Sequence, residues 1–197
     1  YAGYVLEDRH YLSYYVKAVM DSRDDSYFAT RGMAVDTEAS FYHTNFKDDF
    51  NRFGSVELNI GGVASLSERF AVIPSLHGRI IIGDCSEVPY LNYVGGTEPG
   101  RYMSQQLPFI GVNYANVVYN SAVIGRIDLR QRIGEKHYIY GMANHLRTAA
   151  DFEGLLNKSG VGSWGFGMKY SYDSPIGPLS LNVHWSDFDH RTGVYVS

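Results

Sequence analysis

The sequence predicts an all-β protein, an antiparallel transmembrane β-barrel with about nine strands in this chain. Three observations carry the prediction. Apolar and polar residues alternate with period two over long segments, so each segment has one apolar and one polar face. Those segments run to roughly ten residues with aromatics near their ends, as a strand crossing a bilayer at a tilt requires. The connections alternate between short and long, which places short turns at one rim and long loops at the other.

The clearest alternation is the C-terminal hairpin at 164–185. Trp164, Phe166, Met168, Tyr170 and Tyr172 share one face, and Gly165, Gly167, Lys169, Ser171 and Asp173 share the other. After the turn at 174–177, Leu179, Leu181, Val183 and Trp185 oppose Ser180, Asn182, His184 and Ser186. Trp164, Phe166, Tyr170, Leu179, Leu181, Val183 and Trp185 are therefore expected to face lipid. Lys169, Asp173, Asn182 and His184 are expected to face the interior. A soluble sheet with one wet face shows the same alternation, so strand length and loop parity carry the distinction.

From the N-terminus, a first strand is expected over 12–21, with Leu12, Tyr14, Val16, Ala18 and Met20 on one face. The polar turn near 22–31 follows. In the next strand Met33, Val35, Thr37, Ala39 and Phe41 oppose Asp36, Glu38 and Ser40. Two carboxylates on one strand face are badly placed in a dry core and suit a wet lumen. A charged loop at 44–53 leads to a strand over 55–66, where Val56, Leu58 and Ile60 oppose Glu57 and Asn59. The turn at 67–69 opens a strand through 70–82 that contains Pro74, where a local defect is expected. The segment 84–114 is the longest irregular stretch, with Gly and Pro at turn-forming places; loops of this length usually carry function or are disordered. A strand over 121–133 lines up Arg126, Asp128, Arg130 and Arg132 on one face. After 134–135 comes a weaker alternation over 136–147, a polar loop at 148–161, the hairpin, a loop at 187–192 and a last strand from 193. Both ends read as cut from something longer, and nine antiparallel strands do not make the even-numbered barrel usual for one chain.

Composition narrows the function classes. Tyr (17), Phe (10) and Gly (21) are abundant, which fits a many-stranded barrel with aromatic girdles and also a soluble sandwich or lectin-like barrel. No apolar run is long enough for a transmembrane helix. The net charge of −4, with both signs spread along the chain, gives no nucleic-acid surface. A single cysteine, Cys85, leaves no internal disulfide. No nucleophile elbow, P-loop or zinc-protease motif is present, so no catalytic residue, metal ligand or cofactor site is assigned. His77 and His184 fall on polar faces and read as interior hydrogen-bonding groups. The Asp21–Asp25 run lacks the Gly and Glu of a calcium loop and reads as a solvated turn. The site expected instead is a lumen charge network of Asp36, Glu38, Glu57, Arg126, Asp128, Arg130 and Arg132. Segment 84–114 is expected to fold into that lumen with Arg101 beside one of its carboxylates, plugging the pore.

Two motifs suggest a family. Asp21-Ser-Arg-Asp-Asp-Ser-Tyr-Phe-Ala-Thr-Arg-Gly32 resembles the Asp-x-Arg-Asp-x-x-x-Phe-Pro-Thr-x-Gly turn of the bacterial surface antigen superfamily, with Ala29 in the place of Pro. Ser174-Pro-Ile-Gly-Pro-Leu-Ser-Leu181 is similar to the segment that opens that family's penultimate strand. The superfamily includes outer-membrane insertases and two-partner secretion transporters. Pro108-Phe-Ile-Gly111 and the stretch from Trp185 to Val196 look most like the barrel of Bacteroidota patatin-like phospholipases. The family's Val-Arg-Gly-Phe/Tyr tetrad is replaced here by Gly100-Arg101-Tyr102. The resemblance covers essentially the whole chain and implies the C-terminal portion of a sixteen-stranded barrel in the bacterial outer membrane. It further implies outer-membrane lipids and an attached N-terminal domain as partners, that domain being a lipid acyl hydrolase with a Ser-Asp dyad outside this segment. Other chains of an outer-membrane complex, or a second copy, are further partners to expect. A transport or assembly barrel fused to repeats is the second reading, and a soluble sandwich or ligand-binding barrel the third.

Overall fold

A computed structural model describes residues 11–44, 51–85, 90–99, 103–112, 116–118, 120–157 and 159–196. Among the described residues, nine long strands form one antiparallel sheet: β1 (Tyr11–Asp21), β2 (Arg31–Thr44), β3 (Asn51–Ser65), β4 (Phe70–Ile82), β8 (Ser121–Arg132), β9 (His137–Ala149), β10 (Val161–Ser174), β11 (Gly177–Ser186) and β12 (Thr192–Val196). They pair in that order, with β1 and β12 at the edges. Each strand neighbours the next long strand in sequence, which is the up-and-down connectivity of a barrel wall.

The wall is inside-out relative to a soluble sheet. On β10 and β11 the apolar residues are exposed, while Ser163, Ser171, Ser180, Asn182, His184 and Ser186 on the opposite face are buried. Strands β2, β3 and β10 reach 14 or 15 residues. A tilted strand needs only about 9–11 to cross the hydrocarbon, so their ends extend beyond it. The expected defect at Pro74 is present. Strand β4 keeps its interior place, but its ladder to β3 lapses between the pairs Gly61↔Ser75 and Ala64↔Val72. Proline lacks the N–H that the ladder needs there.

Two stretches read as irregular carry structure. Within the long loop, β5 (Tyr93–Val94) pairs in parallel with β6 (Gln106–Leu107) and antiparallel with β7 (Asn116–Val117). In the loop after β9, helix α1 (Phe152–Leu156) starts where Asp151 accepts a hydrogen bond from the Gly154 N–H at 2.7 Å. Both are too short for periodicity to reveal.

The core lies between the sheet's polar face and the long loop. Val94, Leu107, Phe109 and Val112 from the loop pack on Ala122, Ile124 and Leu146 of the wall. Ile110 packs on Tyr138, Tyr140 and Met142, with Phe28 and Ile73 against them. Phe53, Ile81 and Cys85 form a third cluster near the start of the loop. Burying one such side chain contributes about 1.5–3 kcal/mol, so the loop is held by its own apolar residues. This settles the weak alternation of β9, whose Tyr138, Tyr140 and Met142 are the buried, inward set.

Candidate functional site

The inward face of the wall is ordered in rows. Strand register aligns Arg126 with Asn144, Asn144 with Gly165, and Gly165 with Ser186, one residue from each of four strands. The loop lies along this row. Arg126 Nη1 donates to the Thr97 carbonyl at 2.8 Å. Asn144 Oδ1 accepts the Ile110 N–H at 2.7 Å, and its Nδ2 donates to the Ile110 carbonyl at 3.3 Å. Ser186 Oγ donates to the Gly111 carbonyl at 3.0 Å.

Gly165 makes the close approach possible. A Cβ there would lie 1.8 Å from the Ile110 oxygen, inside any contact distance. Gly111 answers from the loop side. Its φ of +114° is a glycine conformation, and a Cβ on it would meet Ser186 at 2.4 Å. The loop's first part is held higher on the wall by Arg79, which is 2% exposed. Its Nη1 donates to the Tyr90 carbonyl at 2.9 Å and to Asn92 Oδ1 at 2.7 Å.

The charge network divides into two groups. In the first, Arg126 binds Asp128 bidentately, Nε to Oδ1 at 2.7 Å and Nη2 to Oδ2 at 2.6 Å. Such fork-to-carboxylate pairs are the strong form of the interaction. Arg130 donates to the Ala29 carbonyl at 2.5 Å and lies over the Tyr138 ring. Arg132 is partly exposed at the rim, beside the cavity lined by Phe28 and Tyr138. In the second group, Asp36, Glu38 and Glu57 surround a cavity of about 220 Å³ with Lys17 and Arg79. Lys17 pairs with Asp36 at 2.9 Å, and Arg79 Nε lies 3.7 Å from Glu57. Glu38 accepts from Ser40 at 2.8 Å, and Glu57 from Asn59 at 2.8 Å. Pro99 and Ser104 line this cavity too. Arg101 lies outside the described residues.

The motif turn at 22–30 sends Phe28 and Ala29 inward, while Asp24, Asp25 and Tyr27 stay exposed. Asp24 accepts from the Thr30 N–H at 2.7 Å and the Thr30 hydroxyl at 2.5 Å. These hydrogen bonds, the hydroxyl's first, push its pKa down to about 2. Asp25 accepts the Tyr27 and Phe28 N–H groups, each at 2.7 Å, and its pKa is lowered by them. So braced, the turn stacks Phe28 on Tyr138 at 4.1 Å between centroids. The turn and the loop come from opposite rims, yet Tyr27 and Phe28 line the same cavity as Thr97 and Glu98.

On the other face, Trp164, Phe166, Tyr170, Leu179, Leu181, Val183 and Trp185 are all exposed, between 39% and 50%. Trp164 packs on His145 at one level, and His137 bonds the Tyr170 hydroxyl at 2.7 Å at the other. Lys169, Asn182 and His184 lie on the inward face, Lys169 with its ammonium 4.0 Å from the centre of the Tyr140 ring. Sequence reasoning placed the charged row but missed Asn144, Gly165, Ser186 and Phe28 as holders of the loop and turn. One signal was available: an isolated Gly inside a strand marks a close backbone approach.

A wall of long antiparallel strands, apolar outside and polar inside, with a loop laid along its inner face, defines an outer-membrane-type β-barrel. The chain belongs to the OMP85 superfamily, whose family model matches residues 2–197. Membership implies the bacterial outer membrane. No curated protein matches the chain.

Proposed function

We propose that this chain is the barrel that anchors, and presents or exports, an attached patatin-like lipid acyl hydrolase domain. The observation that carries the reading is the place of Pro108-Phe-Ile-Gly111. This segment holds the resemblance to patatin-associated barrels, and its Ile110 and Gly111 are the residues hydrogen-bonded by Asn144 and Ser186 and seated against Gly165. In this reading the aromatic set of β10 and β11 meets lipid, the nine strands are the C-terminal portion of a larger wall, and the catalytic dyad lies in the attached domain. The pinned loop favours an anchor over an open conduit, because its described part occupies inner-face positions that a passing chain would use.

The test is the full-length protein in outer-membrane vesicles. Hydrolysis of lipid acyl esters, lost on replacing the nucleophilic serine of the attached domain, is the expected result. An attached array of repeats with no hydrolase, together with secretion or insertion defects on deletion, would replace this reading with the transport or assembly barrel.

A further inference from the structure

Helix α1 lies on the outer side of the wall. The period of two puts Ala149, and Ser121 opposite it, on the outward face, yet both are buried. The helix covers Ala149, because a Cβ on Gly154 would stand 2.7 Å from the Ala149 Cβ. Leu155 is buried beside Gly154. Phe152 and Leu156, one turn apart on the same side of the helix, are instead 53% and 75% exposed. They extend the apolar outer face of β10 onto the long-loop rim. The acids of the segment stand apart from this pair, Asp151 as the cap and Glu153 exposed on another side of the helix.

Arg147 lies under the end of the helix. It is the outward residue between His145 and Ala149, and its Nη2 donates to the Asn157 carbonyl. Its Nε is buried without a hydrogen-bond partner. Among the described residues no carboxylate forms an ion pair with it. Two residues further in along β9, about 7 Å away, His145 packs on Trp164 with ring centroids 4.5 Å apart. Outward tryptophans gather at the boundary between headgroups and acyl chains, which puts the guanidinium at the depth of lipid phosphates.

A cation without a carboxylate, with apolar groups on either side, matches one class of molecule: an acyl lipid that carries a phosphate. A guanidinium takes a phosphate through paired, charge-assisted hydrogen bonds. A free anion would leave Leu156 and Trp164 unused, and an uncharged lipid would leave Arg147 unused. We propose that Arg147, α1 and Trp164 form a binding site for a phosphorylated acyl lipid, the guanidinium holding the phosphate while Leu156 and Trp164 hold a chain. Long loops of such barrels lie outside the cell, so the ligand comes from the outer leaflet. The site is independent of which domain is attached to the wall.

The probe is dioleoyl phosphatidic acid, added to the full-length protein in detergent micelles. Native mass spectrometry counts bound lipid, and hydrogen exchange locates it. The expected result is one saturable lipid adduct, with added protection of the amides over 152–157. Dioleoylglycerol, which has the same chains and no phosphate, should bind at least tenfold more weakly, and inorganic phosphate should not displace the lipid at equal concentration. Arg147→Gln should weaken binding of phosphatidic acid roughly tenfold, the size of a hydrogen bond to a charged group. Leu156→Asn should weaken it roughly fivefold through lost apolar contact. Ile176→Ala, at the opposite rim, should leave it unchanged. The comparisons in wild-type protein need no variant to fold. Equal binding of dioleoylglycerol, displacement by inorganic phosphate, wild-type affinity in Arg147→Gln, or no added protection over 152–157 would overturn the proposal.

Discussion

Asn144 grips Ile110 by both ends of its peptide, accepting the N–H at 2.7 Å and donating to the carbonyl at 3.3 Å. The partners are 34 residues apart, and the contact is fully buried. Replacing Asn144 with Leu keeps the volume but strands an N–H and a C=O without water. An unsatisfied buried group costs about 1–3 kcal/mol. Asn144→Leu should therefore lower the thermal midpoint of the folded form and make the 103–112 segment sensitive to protease. Wild-type protection in that variant would mean that the apolar contacts alone hold the loop.

Gly165 and Gly125 make a matched pair of tests. A Cβ on Gly165 would stand 1.8 Å from the Ile110 oxygen, whereas one on Gly125 meets nothing within 4 Å. Gly165→Ala is expected to displace the loop and raise single-channel conductance in planar bilayers. Gly125→Ala should leave conductance at the wild-type level. Equal conductance in all three proteins would remove the notch from the account.

Leu181 and Asn182 are consecutive residues on opposite faces, 46% and 1% exposed. An Arg at Leu181 should destabilise the barrel in bilayers by roughly 2–4 kcal/mol, the cost of a cation on the lipid face near mid-membrane. An Arg at Asn182 enters the polar cavity and should have a smaller effect. Unfolding in urea from lipid vesicles measures both, and equal losses would contradict the assigned faces.

The motif turn should loosen in acid. Hydrogen bonds from Thr30 hold the Asp24 pKa at about 2, below the value of about 3.9 in an unfolded chain. A depressed folded pKa stabilises the turn above the unfolded value, and that contribution is lost as pH falls through the folded one. Pepsin cleavage at Tyr27–Phe28, normalised to the denatured chain, should rise as pH drops from about 4 to about 2. In Asp24→Asn it should be high throughout. A flat wild-type profile would show that the carboxylate does not brace the turn.

Arg101 remains the proposed plug residue. Asp128 is taken by Arg126, Asp36 by Lys17 and Glu57 by Arg79, so Glu38 is the carboxylate proposed for it. Arg101→Glu should then raise conductance more than Arg101→Ala, because it adds repulsion to the lost pairing. Identical conductance in wild type and both variants would remove Arg101 from the plug.

Much of the wall was legible from sequence because its signal is local. In β10 and β11 the period-two contrast between lipid-like and lumen-like residues repeats in every pair of neighbours, so Trp164, Phe166, Lys169 and Asn182 declare their faces alone. The alternation failed on β9, where Tyr138, Tyr140 and Met142 are apolar and inward. Their burial depends on Phe28 and Ile110, which arrive from opposite rims.

By itself, the sequence determined the nine long strands, the faces of all of them but β9, and the order of turns and loops. Hydrophobic patterning and turn chemistry act over a few residues, so those features need no knowledge of distant neighbours. Only the tertiary structure decided what the inward residues do. Arg126, Asn144, Gly165 and Ser186 are 60 positions apart from first to last, and register alone brings them into one row under the loop. The choice of partner followed the same rule. Asp128 meets Arg126 on its own strand, and Arg130 meets the Ala29 carbonyl on a turn about 100 residues earlier. Hydrogen bonds and ion pairs act within about 3–4 Å, a distance that the order of residues along the chain does not specify.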